Sequence, residues 1–232
     1  MDNKLLLDFG LTTTQAEQFE TYFNLLVEWN EKINLTAITE ENEVITKHFI
    51  DSLMCFESGV LNDGTRVIDV GTGAGFPGIP LKIAAPGIEV TLLDSLAKRL
   101  NFLNEVTDKL NLDSITTVHA RAEDGGRDDN LREQFDVATS RAVANLSTLS
   151  ELCLPFVKVG GYFISMKGPG VEEELAAAKN AIKILGGKVE KVVPYEIPTT
   201  DLKHNLVIIR KIAKTPSKYP RMAPKPSKTP IK

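Results

Sequence analysis

One acidic residue and several closely spaced glycines lie around position 70. Residues 67–78 read VIDVGTGAGFPG, in which an apolar run carries Asp69 and then breaks into a turn with Gly71, Gly73 and Gly75. The run is typical of a buried parallel strand, and missing side chains at the glycines let backbone amides approach a ligand before the next helix begins. The pattern therefore predicts a nucleotide-cofactor site at the end of a strand.

The charge of Asp69 indicates the kind of cofactor. A dinucleotide fold uses such a turn to bind pyrophosphate at a helix N-terminus, and a carboxylate beside the first glycine would oppose that anion. The same carboxylate favours a ligand with positive charge, such as the ammonium and sulfonium groups of S-adenosylmethionine. We therefore interpret the turn as an S-adenosylmethionine loop. The dinucleotide alternative stays open, because Gly73, Gly75 and Gly78 also satisfy the pattern GxGxxG.

Two further acids follow later strand-like runs. Asp94, in TLLDS, closes the second run, where a carboxylate can accept both hydroxyls of a ribose or cap the next helix, with Ser95 available as the cap instead. Ala122 and Glu123 follow the next run, where a small residue leaves space for a flat ring and a carboxylate can accept the adenine amine. Because parallel strands end at one edge of a sheet, these residues are expected to line a single cofactor pocket.

Arg141, in FDVATSRAVANL, is expected where the methyl acceptor meets the cofactor. This segment has no Asn-Pro-Pro-Tyr type turn to orient an exocyclic amine, and Cys153 suits a core thiol better than a nucleophile. A ring nitrogen with an in-plane lone pair, such as guanine N7, needs neither a base nor a covalent intermediate. Because a guanidinium beside that ring would oppose the reaction, we expect Arg141 on the cofactor carboxylate or an RNA phosphate. A structural ion pair is the alternative.

Composition places the chain among ordinary globular proteins. Its 232 residues, 42% hydrophobic and 25% charged, suffice for one α/β domain with a modest extension. The N-terminal sequence lacks the features of a secretory signal and no apolar run reaches the length of a membrane span, so we expect a cytoplasmic protein without a membrane partner. Cys55 and Cys153 lack zinc-site spacing, and His48 and Asp51 lack a third ligand, so no metal is expected.

Hydrophobic periodicity predicts a helical cap followed by a doubly wound sheet. The cap comprises an amphipathic helix over residues 13–29, opened by Thr13 or Thr14, and a second helix over 40–56. Seven strands are predicted at 66–70, 89–93, 116–119, 135–139, 162–166, 188–193 and 206–210. Helices are predicted between them at 79–85, 96–110, 146–157 and 171–185. Because the last two strands leave no room for a crossover helix, they should pair antiparallel in an otherwise mostly parallel sheet.

The C-terminal residues are basic and rich in proline. From Lys211 onward there are six lysines, one arginine and no acid, whereas the whole chain carries a net charge of -4. Five prolines exclude regular helix and favour an extended, mobile arm. We expect that arm to contact RNA phosphates, together with Lys167 at the end of the fifth strand. The arm residues concerned are Lys218, Arg221, Lys225 and Lys228. A merely solubilising terminus is the alternative.

The predicted division of the chain is a cap at 1–62, a core at 63–211 and this tail at 212–232.

Several motifs together resemble one family over almost the whole chain. They are WNEKINLTAI, HFIDSL, DVGTGAGFPGIPL, LLDSLAKRLNFL, ARAED, SRAVANL, GGYFISMKG and KYPRMAPKPSKTPI. The chain resembles the ribosomal RNA small subunit methyltransferase G family, also known as glucose-inhibited division protein B. The resemblance implies the class I S-adenosylmethionine-dependent methyltransferase fold and methyl transfer to N7 of a guanine at about position 527, in the 530 loop of 16S rRNA. It also implies cofactor contacts at Gly71, Phe76, Ala122, Glu123 and Arg141.

The resemblance further implies a small ribosomal subunit, or its precursor, as the partner. Two other functions remain open from the residues alone. A small-molecule methyltransferase of the same fold is disfavoured by the basic tail, and RNA-independent turnover would support it. A non-catalytic nucleotide-binding regulatory module would bind a cofactor without transferring a methyl group.

Overall fold

A computed structural model describes residues 3–141 and 144–232; the first two residues, and residues 142 and 143 of the SRAVANL motif, lie outside this description. Its described part contains a seven-stranded sheet in the order β3-β2-β1-β4-β5-β7-β6. The strands are β1 (Arg66–Val70), β2 (Glu89–Asp94), β3 (Ile115–His119), β4 (Phe135–Ser140), β5 (Val157–Lys167), β6 (Gly187–Glu196) and β7 (Lys203–Lys211). All seven predicted strands are therefore confirmed, with β5, β6 and β7 longer than predicted.

The strand pairing determines where a ligand can bind. Strands β1 to β5 pair parallel, whereas β7 pairs antiparallel with both β5 and β6. The predicted antiparallel ending is confirmed. The strand order reverses between β1 and β4, and in open α/β sheets ligands bind beyond the carboxyl ends of the strands at such a point. The segments after β1 and β4 contain the glycine turn and Arg141.

Helices cover both faces of the sheet. They are α1 (Lys4–Asp8), α2 (Thr13–Asn30), α3 (Glu41–Val44), α4 (Asp51–Leu53), α5 (Gly78–Ala84), α6 (Ala97–Lys109), α7 (Ala122–Gly125), α8 (Leu146–Cys153), α9 (Val171–Ile184) and α10 (Lys225–Lys228). Alternate residues of one strand face the two layers: Val67 packs in the core with the cap, α5 and α6, whereas Ile68 packs in the core with α8 and α9. The fold is the doubly wound α/β class predicted from the sequence.

The N-terminal cap shares its core with the sheet. The N-cap of α2 is Thr12, and not Thr13 or Thr14 as predicted, because the Thr12 hydroxyl and the Gln15 side chain form a capping box. The Gln15 amide also donates to Ile83 and Ala84 carbonyls. The predicted second helix is present but irregular, since a π-helical turn at Ile45–Ile50 and a 3-10 turn at Met54–Ser58 interrupt its α-helical hydrogen bonds.

The C-terminal segment, residues 212–232, packs against the body, so the predicted extended and mobile arm is wrong. Pro220 and Pro226 are buried, and Arg132 donates to the carbonyls of Thr215 and Tyr219. Prolines lack N–H donors but keep their carbonyls, which here accept hydrogen bonds from arginines of the body. A short helix, α10, also forms because Pro226 lies in its first turn, where no N–H is required.

Among the helices at residues 3–141 and 144–232, none combines the length and the apolar composition needed to cross a membrane.

Candidate active site

The glycines of the turn after β1 serve two different purposes. All three adopt positive φ, at 72° for Gly71, 61° for Gly73 and 99° for Gly75. A Cβ at Gly71 would meet no atom within 4 Å, and one at Gly73 would meet only a backbone oxygen at 4.0 Å. A Cβ at Gly75 would lie 2.7 Å from the Tyr22 hydroxyl and the Ile79 side chain. The first two glycines therefore leave open space for a ligand, whereas Gly75 is required by packing of the cap.

The amides of this turn are bonded within the protein. Gly71 and Thr72 donate to the Leu93 carbonyl at 2.8 and 3.1 Å, and Gly73 donates to Asp94 Oδ2 at 3.0 Å. The Gly71, Thr72 and Gly73 amides are therefore already occupied, while the missing side chains still let a ligand approach the backbone. A pyrophosphate requires free N–H donors, so their occupation disfavours the dinucleotide alternative. The turn therefore lets a ligand approach the protein backbone closely.

Asp69 supports the turn from behind. Its side chain is fully buried, and Oδ2 accepts hydrogen bonds from the Thr72 hydroxyl at 2.6 Å and the Gly78 amide at 2.9 Å. Oδ1 has no hydrogen-bond partner among the described residues. Burial raises the pKa of this carboxyl to about 6, although the two hydrogen bonds and the charge of Arg141 oppose the rise. Direct contact with the cofactor ammonium was expected, but the residues lining the cavities below do not include Asp69.

Asp94 joins the turns after β1 and β2. Its Oδ2 accepts the Gly73 amide, its Oδ1 accepts the Leu96 amide at 2.9 Å, and Arg99 Nη1 lies 3.3 Å from Oδ2. Helix α6 has Leu96 at its N-cap without a side-chain cap, so the expected cap by Ser95 is wrong. An ionised carboxylate has about four lone-pair positions, which leaves Asp94 capacity for one further donor.

The strand-end cavity lies at the carboxyl ends of β1, β2 and β3. It measures about 230 Å³, and Gly71, Asp94, Ala122 and Glu123 line it, as the sequence predicted. Arg99, in the first turn of α6, lines it too. The sequence feature that could have identified Arg99 is its position in the first helical turn after Asp94, the acid at the end of β2. These residues form one wall of polar groups above the glycine turn.

Two further cavities continue from the first. The Phe76 cavity, about 300 Å³, is lined by Thr36, Phe76 and the open side of the turn, and it shares Gly71 and Arg99 with the strand-end cavity. The His204 cavity, about 380 Å³, is lined by residues that include Met166, Gly168 and His204. Arg141 and His48 line both of these cavities. The three cavities therefore follow one another across the switch point of the sheet.

Arg141 stands between the second and third cavities. Its guanidinium donates to the Lys47 carbonyl at 2.9 Å, to Asp51 Oδ2 at 3.2 Å and to His48 Nδ1 at 3.0 Å. Its carbon Cζ lies 4.8 Å from the centroid of the Phe76 ring. The structure thus shows the structural ion pair that the sequence left as the alternative. It also leaves Arg141 on the wall of both cavities, where it can meet a ligand.

Asp51 is the buried centre of this network. It accepts from the Tyr195 hydroxyl at 2.8 Å and from His204 Nδ1 at 3.0 Å. Burial alone would raise its pKa, but the hydrogen bond from His204, the charge of Arg141 and the Tyr195 hydroxyl outweigh it and hold the pKa below its usual value. Sequence reasoning missed Tyr195 and His204, which lie more than 140 residues along the chain from Asp51.

His48 is neutral near physiological pH. Burial, followed by the nearby charge of Arg141, lowers its pKa to about 4. Because Arg141 can only donate, His48 Nδ1 accepts and Nε2 carries the proton toward the Thr36 hydroxyl at 2.8 Å. A histidine of this pKa is a poor general base.

The remaining predicted residues lie in different surroundings. The Lys167 ammonium is buried against the Ala144 carbonyl and Glu174, both at 2.8 Å, and the residue also lines the His204 cavity. Arg221 binds the buried carboxylate of Glu151. Lys218, Lys225 and Lys228 are exposed.

Cys55 and Cys153 are buried free thiols, as expected, and burial raises the pKa of each well above its ordinary value.

The residues present fit S-adenosylmethionine. The open space over Gly71 and Gly73 is a cradle that any Cβ would fill. Acidic side chains at 94 and 123 can accept hydroxyl and amine donors of an adenosine, and the buried Oδ1 of Asp69 supplies negative potential behind the turn. No phosphate-binding amides are left at Gly71, Thr72 or Gly73.

Comparison with known proteins gives a consistent result. The family model for rRNA small subunit methyltransferase G (GidB) matches residues 15–206. A Clostridium botulinum protein named ribosomal RNA small subunit methyltransferase G is 57% identical over 99% of this chain and 97% of its own. A protein of that name from Alkaliphilus oremlandii is 56% identical over 97% and 95%. The structure of M. jannaschii TYW2 in complex with AdoMet shares the fold, with a TM-score of 0.56 at 18% identity over 76% of this chain and 80% of TYW2.

Proposed function

The chain belongs to the rRNA small subunit methyltransferase G family, and we therefore propose that it transfers a methyl group from S-adenosylmethionine to N7 of a guanine in 16S rRNA. The family resemblance supports a guanine at about position 527, in the 530 loop, of a small ribosomal subunit or its precursor. Such a substrate implies action in the cytoplasm. The observation that carries the proposal is the row of three cavities, with Arg141 and His48 between the second and third.

The first two cavities suit the cofactor. In the strand-end cavity Asp94 and Glu123 accept donors of the adenosine, and Ala122 leaves room for the adenine ring. In the Phe76 cavity Gly71 and Gly73 admit the remainder of the molecule, and Arg141 is within reach of its carboxylate. When bound, S-adenosylmethionine supplies an activated methyl group on a sulfonium.

The third cavity suits the acceptor. The His204 cavity is lined by Ile38, Met166 and Leu202, whose apolar side chains can hold a flat base. Arg141 lines it too, but its charge is paired with Asp51, which weakens its opposition to methyl transfer. Neutral His48 and ion-paired Asp51 are unsuited to removing a proton near pH 7. Guanine N7 carries a free lone pair, so transfer to it needs position and electrostatics alone. The residues of this cavity therefore favour a ring nitrogen over an exocyclic amine.

The exposed lysines of the C-terminal segment support an RNA substrate. Lys218, Lys225 and Lys228 lie on a segment of 21 residues without an acid. Their charges are held on the surface by the docked backbone, so they present a fixed basic face to RNA phosphates. Arg221 is bound internally to Glu151, whereas Lys167, paired with Glu174, lines the His204 cavity beside the acceptor.

Methyl transfer with a labelled donor tests this function. Purified protein is incubated with methyl-labelled S-adenosylmethionine and either 16S rRNA or small ribosomal subunits, and the digested RNA is resolved into nucleosides. We expect label in N7-methylguanosine alone. Label in another nucleoside would contradict the acceptor atom, and turnover without RNA would favour a small-molecule methyltransferase. Binding of the cofactor without any transfer would favour the regulatory module.

A further inference from the structure

The C-terminal segment packs beside the two short helices that wall the strand-end cavity. Pro220 is buried against α7, and a Cβ at Gly126 would lie 3.0 Å from Pro220 Cγ. Arg127 Nε donates to the Pro220 carbonyl at 2.8 Å. The backbone of the segment is therefore fixed directly behind the helix that carries Ala122 and Glu123.

A buried ion pair attaches the same segment to α8. The Glu151 side chain is fully buried, and its partner Arg221 is about a quarter exposed. Arg221 Nε lies 2.9 Å from Glu151 Oε1, Nη2 lies 2.7 Å from Oε2, and the backbone amide of Arg221 donates to Oε1 at 2.7 Å. Such a bidentate pair has strict geometry, and loss of one partner leaves a buried charge uncompensated.

The residues of α8 alternate between the segment and the cavity. Thr148 and Glu151 bind the segment, with the Thr148 hydroxyl donating to the Pro226 carbonyl at 3.0 Å. Leu149 and Leu152, next to each of them in sequence, line the strand-end cavity. A shift of α8 away from the segment would therefore move the two leucines that close the cavity.

We propose that the C-terminal segment is a structural part of the cofactor site: through Arg221 and Pro220 it holds α8 and α7 at the spacing that S-adenosylmethionine requires. Arg221 is a positioning residue, because it reaches the cavity only through Glu151 and α8. The inference rests on the proposed function, since it assumes that the strand-end cavity receives the adenosyl group. It assigns Arg221 to cofactor affinity and not to RNA contact.

Calorimetry with S-adenosylmethionine in the absence of RNA tests the inference. Arg221→Gln and Lys214→Gln form a matched pair, because each removes one positive charge from the segment and Lys214 is exposed. We expect Arg221→Gln to raise the Kd for the cofactor about tenfold or more. Lys214→Gln should leave that Kd unchanged. Both variants should change the KM for RNA by the same small amount, since each loses one charge.

A second substitution separates positioning from general loss of structure. Adding Glu151→Gln to Arg221→Gln removes the uncompensated buried charge, so the double variant should recover most of the cofactor affinity. If Arg221→Gln does not fold, Arg221→Lys keeps the charge without the planar fork and should give an intermediate Kd.

An unchanged cofactor Kd in Arg221→Gln or in Arg221→Lys, with a raised KM for RNA, would overturn the inference. Arg221 would then be assigned to RNA contact instead. Failure of the unsubstituted protein to bind S-adenosylmethionine would instead overturn the proposed function.

Discussion

Asp69 lies behind the glycine turn and titrates in an accessible pH range. Burial raises the pKa of its carboxyl to about 6, so the group is ionised at neutral pH and protonated below about pH 6. Only the ionised form attracts a cationic ligand. The sequence predicted this carboxylate beside the cofactor, and the structure places it behind the turn, bonded to Thr72 and Gly78. We propose that it acts on the ligand across the turn and not by direct contact.

Cofactor affinity should therefore fall as the pH drops below about 6. A ligand that prefers ionised Asp69 loses up to about tenfold in affinity for each pH unit below that pKa. His48 contributes little there, since its pKa is about 4. Asp69→Asn should bind S-adenosylmethionine more weakly at pH 7 and show a flat profile. Calorimetry between about pH 5 and 7.5 measures both; identical profiles for the two proteins would exclude this role for Asp69.

Arg141 has four contacts within the protein, and we propose that it also binds a carboxylate or phosphate of a ligand. We expect Arg141→Ala to lower kcat/KM at least about tenfold, because a carboxylate or phosphate loses its bidentate partner. The free energy of unfolding should fall by about 1–3 kcal/mol, since buried Asp51 loses one donor but keeps Tyr195 and His204. Steady-state kinetics and denaturant unfolding measure the two effects. Arg210→Ala, which removes an exposed arginine of β7, is the control and should change neither.

Among the structural elements, the glycine turn combines a ligand cradle with a packing contact. Alanine at Gly71 would point into open space, whereas alanine at Gly75 would collide with Tyr22 and Ile79. Both positions have positive φ, so both substitutions introduce similar backbone strain. The pair therefore separates the two purposes of the turn.

Gly71→Ala should weaken cofactor binding about tenfold and lower the free energy of unfolding by only about 1 kcal/mol. Gly75→Ala should lower the free energy of unfolding by about 2 kcal/mol or more, because strain and overpacking add. Calorimetry and urea unfolding of both variants provide the comparison. Unchanged cofactor binding in Gly71→Ala would show that the open space over Gly71 is not a cradle.

Hydrophobic periodicity predicted the strands and helices of the core well, but it could not predict local irregularities within them. The central parallel strands β1, β2 and β4 are buried on both faces, so they read as nearly continuous apolar runs, as in residues 66–70. The edge strand β6 was predicted too short because Gly187 and Pro194, residue types that are unfavourable within strands, stand where the prediction stopped. The π-helical turn at Ile45–Ile50 has no signature in residue spacing, yet it precedes Asp51 and contains His48.

Across the molecule as a whole, contacts between distant residues complete the site. Motif spacing identified Asp94, Ala122 and Glu123 because each follows a strand, and parallel strands end at one edge. Tyr195 and His204 gave no such signal, since their partner Asp51 lies in the cap. The C-terminal segment was misjudged because composition reports proline content but not the arginines of the body that bind proline-flanked carbonyls.

The docked segment changes the expected salt dependence of RNA binding. Arg221 and Lys211 are bound internally, which leaves the exposed lysines to contact phosphates. Substituting Lys218, Lys225 and Lys228 by glutamine should flatten the slope of log K against log salt by about 2, since each single-strand phosphate contact contributes roughly 0.7. Filter binding at several salt concentrations gives the slope. An unaltered slope would assign the segment to structure alone.

Locating the methyl group in cellular RNA would decide whether this protein modifies N7 of a guanine. N7-methylguanine in 16S rRNA is mapped by borohydride reduction and aniline cleavage, from cells with the gene, without it, and with it restored. We expect cleavage at one guanine of the 530 loop that disappears with the gene and returns with it. Cleavage that persists without the gene, or that never occurs in that loop, would contradict the proposed function.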